Sequence, residues 1–478
     1  MKSFSAEEIS IIINGKLIQG SATTIVESSA YYIEKMEASN SLLFLRKAKV
    51  NWERVAQCVP CVVVTDKELE PLKLINDCTV IKVDNIEVAF WTFVYYYRKL
   101  FHIPVIAVTG TCGKSTTKDM IKHILQYKFN ITGTKLSANS RTQNLNYMLE
   151  IDDDTGAAVF ETPVGNPGDI TTTCKYFKPT IGIITNIGIH HIKGCKTLDN
   201  YIQSKGEMLG CVGDNGTLII NADDENIKKL PLHTFKGNLV TFGIKNFCDF
   251  QASDVQFVEN GMNFTLAYRR SYLPMSSVFL RKLMDKWLCG IYKIFVPGYG
   301  EHQVYNALAA LSAVHQLGVK LEEAIVLLKD FKNLPHHLAV NNGINGSIII
   351  DDTWNINPNS LKAAIQVLNG ISKGRKKIAL ITDIQLLGSL ALEVHIEAGN
   401  MIMENGGLDI LVTVGQLSQE MANQALKAGF KGEFYSFSNA EGIYELLQNK
   451  LDSNAILLVK STGYHDRSIL ELVRKLRR

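Results

Sequence analysis

VIAVTGTCGKSTTK, residues 105–118, passes from an apolar run through a glycine turn into Asp119-Met120-Ile121-Lys122-His123-Ile124-Leu125, whose apolar spacing suits a helix. Strand, glycine turn and helix in that order make a phosphate-binding loop. In such a loop the glycines let backbone N–H groups close around phosphate oxygens, and the helix N-terminus adds the positive end of its dipole. Lys114 is placed to reach the terminal phosphates, and Ser115 to offer a hydroxyl to Mg²⁺. The pattern G-x-x-x-x-G-K-[ST] wants glycine where this chain has Val108, and Gly110 stands two residues later. An ordinary helix-opening turn is the competing reading; the flanking strand and helix favour the phosphate loop. These residues imply binding of a nucleoside triphosphate.

Outward from that turn, 478 residues are too many for one compact core and point to about three domains. A hydrophobic content of 46% with 20% charged residues describes an ordinary soluble globular chain. A formal charge of +3 over this length does not call for nucleic acid as a partner, while polyphosphate ligands remain compatible with it. Nine cysteines lack a repeating spacing and MKSFSAEEIS lacks the apolar core of a secretory signal, so a cytoplasmic, reducing setting is expected. Cys58 and Cys61 form one CVPC; with no second pair nearby, they read as packing beside the strand Cys61 to Val64 rather than as a redox or zinc motif.

Residues 1–101 alternate short strand-like and helical pieces without a catalytic cluster. They end in VAFWTFVYYYRKLF, apolar but short of the ~20 residues that cross a bilayer, hence a buried helix. No transmembrane segment is expected, and position alone gives this region substrate recognition. From Phe101 the chain alternates strands and helices, with strands expected at Ala157 to Glu161, Ile181 to Asn186 and Thr217 to Asn221. That spacing fits a mostly parallel sheet, where ligands gather at the carboxyl ends of strands. Glu161 ends one such strand and reads equally as a Mg²⁺ ligand or as a loop acid. His190 and His191 follow the next strand and, taken alone, read as surface loop before ligand. Lys205, in YIQSKGEM, reads by spacing as a solvated lysine on a helix.

The combination changes those readings, because it resembles the Mur ligases, ATP-dependent enzymes that join a carboxylate to an amine. The branch it is most similar to adds D-alanyl-D-alanine to UDP-N-acetylmuramoyl-tripeptide. TGTCGKSTTK matches the family's phosphate loop with its shortened glycine spacing; QNLNYML at Gln143 to Leu149 and ETPVGNPGDI at Glu161 to Ile170 resemble NLNN and ELGxNxPGEI. NIGIHHIKG at Asn186 to Gly194 is similar to NIGxAHLEG and aligns His191 with a metal-ligating histidine. SKGEM at Ser204 to Met208 matches AKGEI, whose lysine is carbamylated by CO₂. GYGEHQVYNALAAL at Gly298 to Leu311 looks like GRHNVYNALAA, whose asparagines lie near the adenine, with Asn306 kept and Gln303 in place of the first. DDTWNINPNSLKAAI at Asp351 to Ile365 resembles DDAYNANPDSMRAAL, the segment that opens the last domain.

The resemblance implies an α/β fold of three domains. A small N-terminal α/β domain occupies 1–100, a central P-loop parallel-sheet ATPase domain 101–335, and a Rossmann-like C-terminal domain 336–478, which closes on the nucleotide by a hinge. It implies ATP held by Gly110, Thr111, Cys112, Gly113, Lys114, Ser115, Thr116, Asn306, His337, Asp352 and Asn355. It implies two Mg²⁺ ions held by Ser115, Glu161, His191 and a carbamylated Lys205, with Lys114, His191 and Lys205 serving the reaction. The carboxylate would be activated as an acyl phosphate and then trapped by the amine, without a nucleophilic side chain. Strands are expected at Ser347 to Asp351, Lys377 to Thr382 and Ile456 to Lys460, and a monomer is expected.

The chain also departs from the family. Leu334-Pro335-His336-His337 stands where an arginine usually enters the last domain, and histidine lacks arginine's permanent charge and bidentate fork. TDIQLLGSL places Leu386 at a glutamate of GDMLELGE, and VKSTGYHDR has Gly463 at an arginine of VKGSRxM. In the first domain Glu27-Ser28-Ser29 replaces a UDP-holding DSR, and LLFLRKAKVNWERVAQ lacks the later glycine loop. An acid other than the UDP-linked one is therefore the expected substrate, with the cell-wall tripeptide as the alternative. A nucleotide-binding subunit without ligase activity is a further one. The stretch Arg269 to Gly290 reads as an insertion, either a loop with a packing helix or a basic, apolar surface for a membrane or partner.

Overall fold

The strand Val105–Thr109 is buried along all five residues, which is why the run before the glycine turn carries no polar side chain until its last position. The turn that follows delivers the chain into the helix Lys114–Leu125. The computed structural model describes residues 1–30, 39–46, 51–68, 70–190, 192–269, 288–463 and 467–477. His191, most of the expected insertion, part of LLFLRKAKVNWERVAQ and Tyr464 to Asp466 of VKSTGYHDR lie outside the described residues. Contacts divide the chain into two compact units. The first holds Met1–Ala107, Leu125–Pro163 and Thr171–Ile181; the second holds Val108–Ile124, Val164–Ile170 and Gly182–Arg478.

In the first unit a five-stranded sheet runs in the order Lys16–Gln19, Cys78–Lys82, Cys61–Thr65, Ser41–Phe44, Ser28–Ala30. Its first pair is antiparallel and the others parallel. The apolar stretch before the phosphate loop is the helix Ile86–Lys99, opened by Asn85, whose side chain accepts from the N–H groups of Glu87 and Val88 at 2.9 and 3.1 Å. Phe90, Phe93, Val94 and Tyr97 on this helix are buried in a core shared with Phe4, Phe44 and Phe160. That is a soluble packing face; among the described residues no helix is long and apolar enough to cross a membrane. Cys58 and Cys61 are buried beside Val63, as packing residues. The strand Thr155–Glu161 pairs in parallel with Asn130–Gly133 and ends at the fully buried Glu161.

The second unit contains two sheets' worth of strands. Thr217–Asn221, Asn238–Gly243 and Phe250–Val258 pair in parallel, and the last of them turns back through Gly261–Arg269 and Leu288–Pro297 as antiparallel hairpins. Arg269 pairs with Leu288, so residues 270–287 join two strands of one hairpin, and both ends of the expected insertion are strand. The other sheet runs Ala339–Asn342, Ile348–Asp352, Ala455–Lys460, Lys376–Thr382, Ile410–Val414, Glu433–Phe437, parallel except at its first pair. Asp352 and Lys460 are register partners at the carboxyl ends of neighbouring parallel strands. The helix Glu301–Gln316 lies against the first of these sheets with most of its residues buried.

Candidate active site

Two glycines shape the phosphate loop because nothing larger fits. Gly110 has φ +147°, and a Cβ there would lie 1.9 Å from Thr185 Oγ1; Gly113 has φ +80°, and a Cβ would lie 2.2 Å from Asn306 Oδ1. The loop is pinned from below by the turn that follows Ile181–Ile184. Thr111 N–H donates to Asn186 O at 2.9 Å and Cys112 N–H to Asn186 Oδ1 at 2.9 Å. Cys112 O accepts from Thr185 Oγ1 at 2.6 Å and from Asn186 Nδ2 at 3.0 Å. The amides of Thr111 and Cys112 are thus engaged by the protein, which leaves phosphate capture to the helix N-terminus and to Lys114. Lys114 Nζ donates to Gly110 O at 3.0 Å and Thr111 O at 3.1 Å, so the cation is held over its own loop.

Lys205 lies in the same unit, on the helix Leu198–Gly206. It is 1% exposed, and its Nζ donates to Oγ1 of Thr109, the residue that ends the strand before the loop, at 3.1 Å. Burial, and after it the charge of Lys114, pushes its pKa well below the ordinary lysine value. The spacing-based reading of a solvated surface lysine is corrected by that burial. A buried, neutral amine beside a phosphate loop is a nucleophile rather than a counter-ion.

The far wall comes from the strand ends of the second sheet. Lys460 Nζ meets Asp352 Oδ2 at 2.6 Å and donates to Asn355 O at 2.6 Å, with Lys460 1% exposed. Asn357 caps the helix Pro358–Ile371 through Ser360 N–H at 3.0 Å and donates from Nδ2 to Cys112 Sγ at 3.2 Å. A cap residue therefore also touches the phosphate loop. The charge pair makes Lys460→Met a sharp test: it leaves a buried carboxylate without its cation, at a cost of about 3–5 kcal/mol. The expected outcome is a lower urea midpoint for Lys460→Met, recovered in part when Asp352→Leu is added.

Gln303 stands where the resembling pattern has asparagine, and its longer side chain is consumed by the protein. Its Nε2 donates to Pro297 O at 2.9 Å and to Asn333 Oδ1, and its Oε1 accepts from Asn306 Nδ2 at 3.2 Å. Asn306 is thereby turned so that Oδ1 faces Thr117 Oγ1 at 3.4 Å. Opposite them, Asp223 accepts from the N–H groups of Ile244, Lys245 and Asn246 and from the Tyr305 hydroxyl at 2.8 Å. These donors hold its pKa below the usual carboxylate range against the opposing effect of burial.

These walls enclose a cavity of ≈ 360 Å³. Thr111, Cys112, Gly113, Lys114, Ser115, Thr116, Asn306, His337, Asp352 and Asn355 line it, while Gly110 supports the loop from behind. Lys460, Asn186, Asp223 and Trp354 also line it and were missed in the sequence, since nothing in their local spacing marks them. His190 is buried. Glu161, in the first unit, accepts from Asn139 Nδ2 at 2.8 Å through Oε2. Among the described residues no three His, Cys, Asp or Glu side chains cluster as a metal site. Ser115 offers a hard oxygen beside the loop, as Mg²⁺ prefers. Lys205 as a free amine is no Mg²⁺ ligand, and fits one only as the carbamate its burial favours.

Residues 108–314 match the family model of the Mur ligase middle domain. The UDP-N-acetylmuramoyl-tripeptide--D-alanyl-D-alanine ligase of Bacillus subtilis (strain 168) is 27% identical over 383 residues, covering 80% of this chain and 78% of that one. The crystal structure of MurF from Acinetobacter baumannii superposes with a TM-score of 0.82 at 22% identity, over 99% of this chain and all of the other. The MurF ligase of Thermotoga maritima, solved in complex with ADP, superposes with a TM-score of 0.76 at 19% identity, over 94% and 97%.

Proposed function

We propose that this chain, a member of the Mur ligase family and so an ATP-dependent amide-forming ligase, joins D-alanyl-D-alanine to the carboxylate of a UDP-N-acetylmuramoyl-tripeptide. The observation that carries the reading is one cavity lined both by the glycine turn, Thr111 to Thr116, and by Asn306, His337, Asp352 and Asn355. Full-length relatives named for that reaction support the choice of substrates.

A carboxylate does not acylate an amine at neutral pH, because its leaving group would be an oxide. Transfer of the γ-phosphoryl group supplies a better one: a carboxylate oxygen bonds to phosphorus, the bond to the bridging oxygen breaks, and its electron pair departs on ADP. The amine nitrogen then bonds to the acyl carbon, the phosphate leaves with the electron pair, and the ammonium proton is lost to solvent. Lys114, held by Gly110 O and Thr111 O, binds the terminal phosphates and offsets their charge as they reorganise. The Asp352–Lys460 pair and the Asn357–Cys112 contact hold the second sheet against the loop. That contact limits water around the acyl phosphate. By their motifs Ser115, Glu161, His191 and carbamylated Lys205 hold two Mg²⁺ ions. Mg²⁺, when bound, supplies positive charge against the phosphate oxygens.

A second reading, ligation of a different acid, is favoured by the first unit: Glu27-Ser28-Ser29 carries no arginine, and Ser28 Oγ is bonded to Ser41 Oγ at 2.8 Å. The test is purified protein with ATP, Mg²⁺ and a panel of acids and amines, read by product mass and by ADP. The expected result is the D-alanyl-D-alanine adduct of the UDP-linked tripeptide. Turnover of another pair alone establishes the second reading. ATP binding without amine-dependent ADP release establishes a non-catalytic subunit.

A further inference from the structure

His337 and Trp354 pack ring on ring, their centroids 5.6 Å apart and their planes 23° from parallel. Both line the nucleotide cavity, where Trp354 is 40% exposed. Each stands at a departure from the family pattern: His337 in the pair that usually carries arginine, Trp354 at the tyrosine of DDAYNANP. The doublet is fixed from behind. His337 Nδ1–H donates to Pro335 O at 2.8 Å, and Trp354 N–H donates to His336 O at 3.1 Å. His336 in turn is tied through Nδ1 to Asp351 Oδ2 at 2.8 Å. An arginine fork at this place would serve a phosphate; a stacked imidazole and indole present a broad apolar π-face, which serves a flat aromatic ring.

Next to the doublet, His302 Nδ1 is buried in the same cavity and has no hydrogen-bond partner among the described residues. Burial lowers the pKa of this imidazole to about 4, so it is neutral at physiological pH. A neutral imidazole offers one donor and one acceptor, the combination that matches the edge of a purine. An orphaned polar atom beside an exposed aromatic face calls for a heteroaromatic ligand.

We propose that the His337–Trp354 doublet is the nucleobase platform of this enzyme, stacking on the purine of the bound triphosphate, with His302 meeting its polar edge. Affinity that the family draws from an arginine is drawn here from the base. The inference rests on the ligase reading above, since it takes ATP as the ligand.

The experiment titrates the full chain with ATP and, separately, with inorganic tripolyphosphate, by calorimetry, in wild type, Trp354→Ala and Trp354→Tyr. Loss of one stacked base contact weakens binding about tenfold or more. Trp354→Ala should therefore bind ATP about tenfold more weakly and tripolyphosphate as wild type does, while Trp354→Tyr retains most of the ATP affinity. ATP should also quench a component of the intrinsic fluorescence that is missing in Trp354→Tyr, and tripolyphosphate should leave that component alone. ATP affinity within twofold of wild type in Trp354→Ala, equal weakening of both ligands, or quenching unchanged in Trp354→Tyr would overturn the platform while leaving the ligase reading intact. Wild-type protein that binds tripolyphosphate but not ATP overturns both.

Discussion

Lys205→Ala is expected to lower ligation about 10³-fold while ATP still binds. The reason is the setting of the amine. Lys205 is 1% exposed, its Nζ rests on Thr109 Oγ1, and burial together with the charge of Lys114 disfavours its protonated form. A neutral amine attacks CO₂: the nitrogen lone pair bonds to carbon, a proton leaves the nitrogen, and the side chain ends in an anionic carbamate with hard oxygens. The shortened side chain can do neither. Two measurements check the account. Short carboxylic acids, added in excess, should restore part of the activity of Lys205→Ala, because they return the missing oxygens. A ¹³C resonance from ¹³C-bicarbonate should appear in wild type and be absent in Lys205→Arg. Activity of Lys205→Ala near that of wild type would remove the residue from the reaction altogether.

Lys114→Met is expected to cost about 10³-fold in kcat as well, by a different route. Here the charge that offsets the moving phosphoryl group is lost, while the loop keeps its shape. That shape does not depend on the lysine: Thr185 and Asn186 grip Cys112 O, and Asn186 takes the Thr111 and Cys112 amides. Stability should therefore fall little, and ADP formation should fall steeply. Lys114→Arg should not rescue it, since a planar fork cannot be held by Gly110 O and Thr111 O as a point charge is. Rates of ADP release beside thermal unfolding of both variants separate the loss of charge from a loss of fold.

How far the chain could be read in advance follows from where each signal lies. The strand Val105–Thr109, the helix Lys114–Leu125 and the strands Ile348–Asp352, Lys376–Thr382 and Ala455–Lys460 announce themselves because they are buried on both faces or carry one clear apolar stripe. The hairpins from Phe250 to Pro297 do not: much of each strand is exposed, so alternation is weak. The phosphate loop was legible because its residues are contiguous. Lys460 was not, because its partner Asp352 lies 108 positions away and is brought beside it only by sheet register. The Asn357–Cys112 contact, spanning 245 positions, is of the same kind. Lys205 shows the limit of spacing most plainly. Its helix looks amphipathic and exposed in isolation, and only the packing of the fold buries the amine. Gln303 shows the limit of resemblance: one added methylene converts a position implied to lie near the adenine into a strut between Pro297, Asn333 and Asn306.

The central claim is that a carboxylate is phosphorylated before the amine attacks it. It is tested most directly by turning over UDP-N-acetylmuramoyl-tripeptide labelled with ¹⁸O in the reacting carboxylate, with D-alanyl-D-alanine and ATP, and weighing the phosphate released. The account predicts ADP together with phosphate that carries one ¹⁸O from the acid. Unlabelled phosphate, or AMP with pyrophosphate, would contradict it.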